Sequence, residues 1–88
     1  MPTLTVHFFA GAAQASGCER ADVPFDTAMT IYEGALQAGL KQGAHKDDLS
    51  KVLSVSSFLV DGTLHKGSTV LNTPADTRVD VLPPFAGG

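Results

Sequence analysis

A second cysteine is missing from this chain, so Cys18 has no internal disulfide partner and a cytoplasmic setting is expected. No apolar run approaches the roughly 18–20 residues that a membrane span requires. The opening Met1-Pro2-Thr3-Leu4 carries neither a basic start nor a long apolar stretch, so no secretory signal is expected. Tryptophan is absent, and positive charge is scarce. Four lysines and two arginines are scattered against nine acidic residues, for a net charge of −3. Without a basic stripe or an aromatic stacking platform, nucleic acid is not an expected partner.

What the chain does have is an apolar fraction of 43% in 88 residues, enough for one modest core and one domain. Residues 3–10 alternate, with Leu4, Val6 and Phe8 on one face and Thr3, Thr5, His7 and Phe9 on the other. That period of two predicts a half-buried strand. Residues 11–17 are small and bounded by glycine, which reads as a loop, and residues 18–23 read as a second strand ended by Pro24. From there the period changes. Ala28, Ile31, Tyr32, Ala35, Leu36 and Leu40 recur at three- and four-residue spacing, predicting an amphipathic helix. Asp26 or Thr27 can cap its first turn, and Thr30-Ile31-Tyr32-Glu33 is a second capping box further in. Gly34 and Gly39 each cost about 1 kcal/mol relative to alanine, so tertiary packing must hold this helix, which is expected to end at 41–43.

Residues 47–53 read as one further helical turn, and 55–60 as a strand. Asp61-Gly62 is the strongest hairpin signal in the chain, leading into a short strand at 63–65. Residues 72–76 form a turn cluster, and 78–82 alternate again as the last strand. A hairpin, a helix across one sheet face and a last strand parallel to the first amount to an α+β architecture, the β-grasp or ubiquitin-like fold. The domain is expected to span 1–82, and 83–88 to form an extended tail.

That tail has its own logic. Pro83 and Pro84 fix φ and lack a donor, so they end the sheet and stiffen the exit. Six residues reach at most about 20 Å. Gly87 and Gly88 can pass a channel too narrow for a Cβ, with Phe85 and Ala86 leading into it. The reactive group is then the carboxylate of Gly88, inert until activated. Attack on the α-phosphate of ATP would make an acyl-adenylate. A sulfur nucleophile displacing AMP would leave a thiocarboxylate, and an amine would leave an amide. Nothing in this chain performs these steps, so separate enzymes must.

The start, Val6-His7-Phe8-Phe9-Ala10, and the end, Val79-Asp80-Val81-Leu82-Pro83-Pro84-Phe85-Ala86-Gly87-Gly88, resemble the MoaD/ThiS family of sulfur carriers. The Pro-Pro-x-x-Gly-Gly ending specifically resembles MoaD, the small subunit of molybdopterin synthase. The resemblance implies that a ubiquitin-activating-type (MoeB-like) enzyme uses ATP to adenylylate Gly88 and that a sulfur relay protein converts it to thiocarboxylate. It further implies that the tail enters a MoaE-like large subunit, which holds the catalytic residues, to donate sulfur to a pterin precursor in molybdenum cofactor biosynthesis. No cofactor bound by this chain itself is implied. Three alternatives stay open: a ThiS-like carrier for thiamin thiazole synthesis, a ubiquitin-like modifier forming isopeptide bonds, and a sheet-binding adaptor. The chain departs from the family at 75–79, where Ala75-Asp76-Thr77-Arg78-Val79 replaces the usual Asp-Gly-Asp-Glu-Val. Asp76 is expected to take the left-handed conformation of the usual glycine, and Arg78 reverses a charge.

Other candidates are weaker. His7, His45 and His65 have no metal-ligand spacing, and Cys18 has no neighbour that would activate a thiol. Ser54, Ser56 and Ser57, read as strand residues, lack a His-Asp constellation. Asp47-Asp48 with Glu33 lack calcium-loop spacing, and residues 11–17 lack the Lys-Ser/Thr ending of a phosphate loop. Phe9, Leu64 and Leu82 are different. Alternation puts Phe9 and Leu82 opposite the helix-packed face on neighbouring strands, with Leu64 joining them as a partner-docking surface.

Overall fold

The computed structural model describes residues 2–24, 29–71 and 75–84. Its first strand, β1 (Thr3–Phe8), buries Leu4, Val6 and Phe8, as the alternation requires. Strand β2 (Arg20–Pro24) pairs with it antiparallel, from Thr3 opposite Pro24 to His7 opposite Arg20. Pro24 therefore closes the ladder from inside its last position, where an edge strand tolerates a missing donor. The Lys41 ammonium donates to the Asp22 carbonyl at 3.2 Å, occupying an outward-facing group of that edge.

Residues 11–17 depart from the expected loop. Helix α1 (Gly11–Ser16) occupies them, buries Ala12 and Ser16 one turn apart, and stops at Gly17 with φ 76°. The alanines favour a helix more than the bounding glycines oppose it, and six residues are too few to display a period. The buried Ser16 hydroxyl donates to the Cys18 carbonyl at 2.8 Å, closing the turn. Ala10, before α1, sits at φ 50° and ψ −124°, a conformation suited to glycine. Ala10→Gly is therefore expected to raise stability by about 1 kcal/mol, checked by urea unfolding; an unchanged or lower midpoint would show that Ala10 carries no strain.

Helix α2 (Ile31–Lys41) takes the second of its candidate caps: Thr30 Oγ1 accepts from the Glu33 N–H at 3.1 Å. Asp26, Thr27 and Ala28 lie outside the described residues. Helix α3 (Lys46–Val55) runs ten residues where one turn was expected, burying Leu49 and Leu53 against α1 and α2. Val55 belongs to its last turn, so β3 is shorter than the sequence indicates, Ser57–Val60. Asp61 and Gly62 then turn the chain with φ of 48° and 86°, the two positive angles a two-residue hairpin needs, into β4 (Thr63–His65). The turn is tied to β5 (Thr77–Leu82): the Asp61 N–H donates to the Arg78 carbonyl at 3.0 Å, and Asp61 Oδ1 accepts from the Arg78 N–H at 3.2 Å.

Strand order is β2-β1-β5-β3-β4, with β1 and β5 parallel at the centre and every other pairing antiparallel. The core lies between one sheet face and the helices, built from Leu4, Val6, Phe8, Phe58, Val79 and Val81 against Ile31, Ala35, Ala38, Leu49 and Leu53. Asp76 is not left-handed: the only non-glycine residues with positive φ among those described are Ala10 and Asp61. Its carboxylate instead accepts the Thr3 N–H at 2.8 Å, satisfying the first amide of β1.

Candidate functional site

Two features meet at the end of β5. The first is the exit of the chain. Leu82 pairs with Ser57 at the start of β3, and on the other side the Phe9 N–H donates to the Val81 carbonyl at 3.3 Å. Half-buried Pro83 and exposed Pro84 therefore leave the sheet between the Phe9-Ala10 bend and Ser56. Phe85, Ala86, Gly87 and Gly88 lie outside the described residues, and four residues beyond Pro84 reach at most about 14 Å.

The second feature is the sheet face without helices. The registers place Arg20, His7, Asp80, Leu59 and Leu64 in one row across all five strands. Leu59 and Leu64 stand directly opposite, and Leu82 is the diagonal neighbour of Leu59 on β5. Leu64 is 66% exposed, and Phe9, at the end of β1 beside Leu82, is 41% exposed. The structure thus brings Leu64 and Leu82 to one face and Phe9 to its margin. It adds Leu59, which the sequence reading did not single out although two-residue alternation back from Asp61-Gly62 pairs it with Leu64.

Charge on this face is largely matched. Arg78 Nε lies 2.8 Å from Asp80 Oδ1, and Arg20 lies 3.6 Å from Asp22, both pairs solvent-exposed enough to contribute at most about 1 kcal/mol each. The reversed charge at Arg78 is therefore partly cancelled by its own strand, and the face is an apolar patch with paired charges on one flank.

The remaining candidates are placed apart. His7 is on β1, His45 precedes α3 and His65 is on β4; among the described residues no group of three His, Cys, Asp or Glu is placed to hold a metal ion. The Cys18 thiol is half-buried, 3.7 Å from the Ser16 hydroxyl, with partial packing on the core. The three serines do not share a strand. Ser54 lies in α3 and donates to the Lys51 carbonyl, Ser56 ends the helix and donates to Val52, and only Ser57 is in β3. Among the described residues, no helix is long and apolar enough to cross a membrane.

A mixed sheet with parallel first and last strands at its centre and helices across one face gives this chain the β-grasp, or ubiquitin-like, fold. Neither a family model nor a curated protein matches the sequence. Solved structures do share its fold. The small archaeal modifier protein SAMP1 from Haloferax volcanii superimposes with a TM-score of 0.70 at 22% identity, over 98% of this chain and 99% of the other. SAMP1 from Methanosarcina acetivorans gives 0.70 at 17%, over 100% and 98%. A putative molybdopterin converting factor, subunit 1, from Pyrococcus furiosus gives 0.68 at 14%, over 97% and 100%. At these identities the likeness is one of fold.

Proposed function

We propose that this protein is a MoaD-like sulfur carrier whose Gly88 carboxylate is adenylylated, converted to thiocarboxylate and presented to the active site of a partner. The observation that carries this reading is the joining of a β-grasp fold to a Pro83-Pro84 exit followed by Phe85-Ala86-Gly87-Gly88. The globule supplies a recognisable body, and the glycines supply an arm thin enough for a narrow channel. The chain itself contributes no catalytic acid or base. A ubiquitin-activating-type enzyme uses ATP to form the acyl-adenylate, with pyrophosphate leaving. A persulfide on a sulfur relay protein displaces AMP, and a thiol then cleaves the S–S bond of the resulting acyl disulfide, which leaves the thiocarboxylate on Gly88 and the relay protein as a mixed disulfide. A MoaE-like large subunit takes the sulfur into a pterin precursor, in the cytoplasm.

A second reading has its own support, since two of the fold neighbours are small archaeal modifier proteins: in it the same activated carboxylate is joined to lysines of other proteins. The chemistry is common to both readings up to the adenylate and diverges at the nucleophile. Incubation with an adenylating enzyme, ATP and a sulfur source, followed by intact mass, is expected to show one oxygen replaced by one sulfur. Lysine-linked conjugates in cell extract would instead establish the modifier. Co-purification of a pterin-binding subunit, against a thiazole synthase, separates the molybdopterin role from the thiamin one.

The outer face is the proposed dock for the large subunit. Leu82→Asp puts an unpaired carboxylate beside Leu59 on a half-exposed position, so partner affinity is expected to fall about tenfold or more while the thermal midpoint changes little. Unaltered affinity on titration calorimetry would remove this face from the interface.

A further inference from the structure

Three segments without a charged side chain meet where the chain leaves the sheet. Residues 8–18, 52–60 and 81–88 contain no Lys, Arg, His, Asp or Glu. The Ser57–Leu82 pair and the Phe9–Val81 hydrogen bond set the first two on either side of the third, and α1 packs on α3 behind them. The first charges beyond are Glu19, whose carbonyl accepts the Phe8 N–H on the β2 side, and Lys66, which follows β4.

On this uncharged end two apolar side chains stand in solvent. Phe9 is 41% exposed at the end of β1, and Val55 is 63% exposed at the end of α3, two residues before the Ser57–Leu82 pair. Both are held by fixed backbone. The Phe9 N–H donates to Val81, and its carbonyl accepts from the Ala12 N–H at 2.9 Å. Beside Val55, the Ser56 N–H donates to the Leu53 carbonyl at 3.2 Å and its hydroxyl to the Val52 carbonyl at 2.6 Å. Val70 is almost as exposed, at 52%, but belongs to the opposite end of the sheet, where it lines a cavity with Asp61 and Thr77.

We infer that Val55, with Phe9 across the exit, forms a rigid apolar collar on which the channel mouth of the enzyme that adenylylates Gly88 closes. The inference rests on the carrier reading and adds a second contact surface to the outer sheet face. Chain length commits the collar to this occupant. Four residues follow Pro84, so a reacting group that meets Gly88 comes within about 14 Å of Pro84. A channel that shields an acyl-adenylate from water uses most of that length, which leaves its mouth resting on the body around the exit. Such a mouth covers groups that lose nothing on leaving water, and a ring of uncharged residues meets that condition.

The test uses the full chain with a ubiquitin-activating-type adenylating enzyme and ATP, following pyrophosphate release against carrier concentration. Val55→Asp and Val55→Lys should each raise KM at least fivefold with kcat and the thermal midpoint little changed. Lysine also suits a helix C-terminus, which guards that variant's fold. Val55→Ile should keep the original KM, and so should Val70→Asp, which puts the same charge at the far end. Unaltered KM in the two charged variants would overturn the inference. So would opposite responses to the two signs, which would show steering by charge in place of apolar contact. Concentration-dependent self-association that Val55→Asp abolishes would assign the collar to a second copy and overturn it as well. A wild-type chain that is never adenylylated would sink the carrier reading too, whereas a charged Val55 variant loaded at the original KM sinks the collar alone.

Discussion

Lengthening the chain by one alanine after Gly88 is expected to abolish sulfur loading, by at least a hundredfold, without lowering the unfolding midpoint. The reason is geometric before it is chemical. An added residue moves the carboxylate about 3.5 Å along the tail, and reacting atoms must meet within a few tenths of an ångström of their productive distance. It also places a methyl group where glycine has only hydrogen, in a channel that the tail's composition predicts to be narrow. Stability is expected to be indifferent, because the core is complete without the tail: Leu4, Val6, Phe58, Val79 and Val81 are all buried upstream of Pro83. Adding glycine in place of alanine separates the two effects, since it shifts the carboxylate without adding bulk. Intact mass reads the loading and circular dichroism reads the fold. An extended protein that still gains sulfur, with no trimming of the extra residue, would refute the carrier reading.

The elements whose residues carry a clear period were legible in advance. Alternation in β1 and β5, the three- and four-residue spacing of α2 and the Asp61-Gly62 turn led to the parallel pairing at the centre of the sheet, and the register bears this out. The elements that were missed lack such a signal. Helix α1 is under two turns long and half alanine, and α3 buries only Leu49 and Leu53 in a segment otherwise rich in charge and serine. Its polar surface masks its length, and its last residue, Val55, is apolar yet 63% exposed, which invited assignment to the following strand. The site divides the same way. A terminal motif such as Pro83-Pro84-Phe85-Ala86-Gly87-Gly88 is contiguous and needs no fold to be noticed. The outer face draws on Leu59, Leu64 and Leu82 from three strands, which only their pairing brings together, so no local pattern announces it.

Gly39→Val is expected to destabilise the fold by about 2 kcal/mol, even though valine is a slightly better helix former than glycine. A Cβ at Gly39 would run into Leu49 Cδ2 and stand 3.6 Å from Phe8 Cζ, and all three positions are buried. The leucine tip has little space to retreat into, because it is enclosed between α2, α3 and β1. Glycine is thus retained inside α2 because two elements close on it, which accounts for a helix cost that looked gratuitous in the sequence. Against a total stability of about 4–13 kcal/mol for a domain this size, the loss is large. Leu49→Ala alone should cost about 2–5 kcal/mol by opening a cavity. Combined, the two changes should cost at least about 1 kcal/mol less than their sum, because the valine side chain enters the space that the leucine vacated. Urea titrations of the four proteins at equal slope measure the coupling. Strict additivity would mean that Gly39 and Leu49 do not share that space.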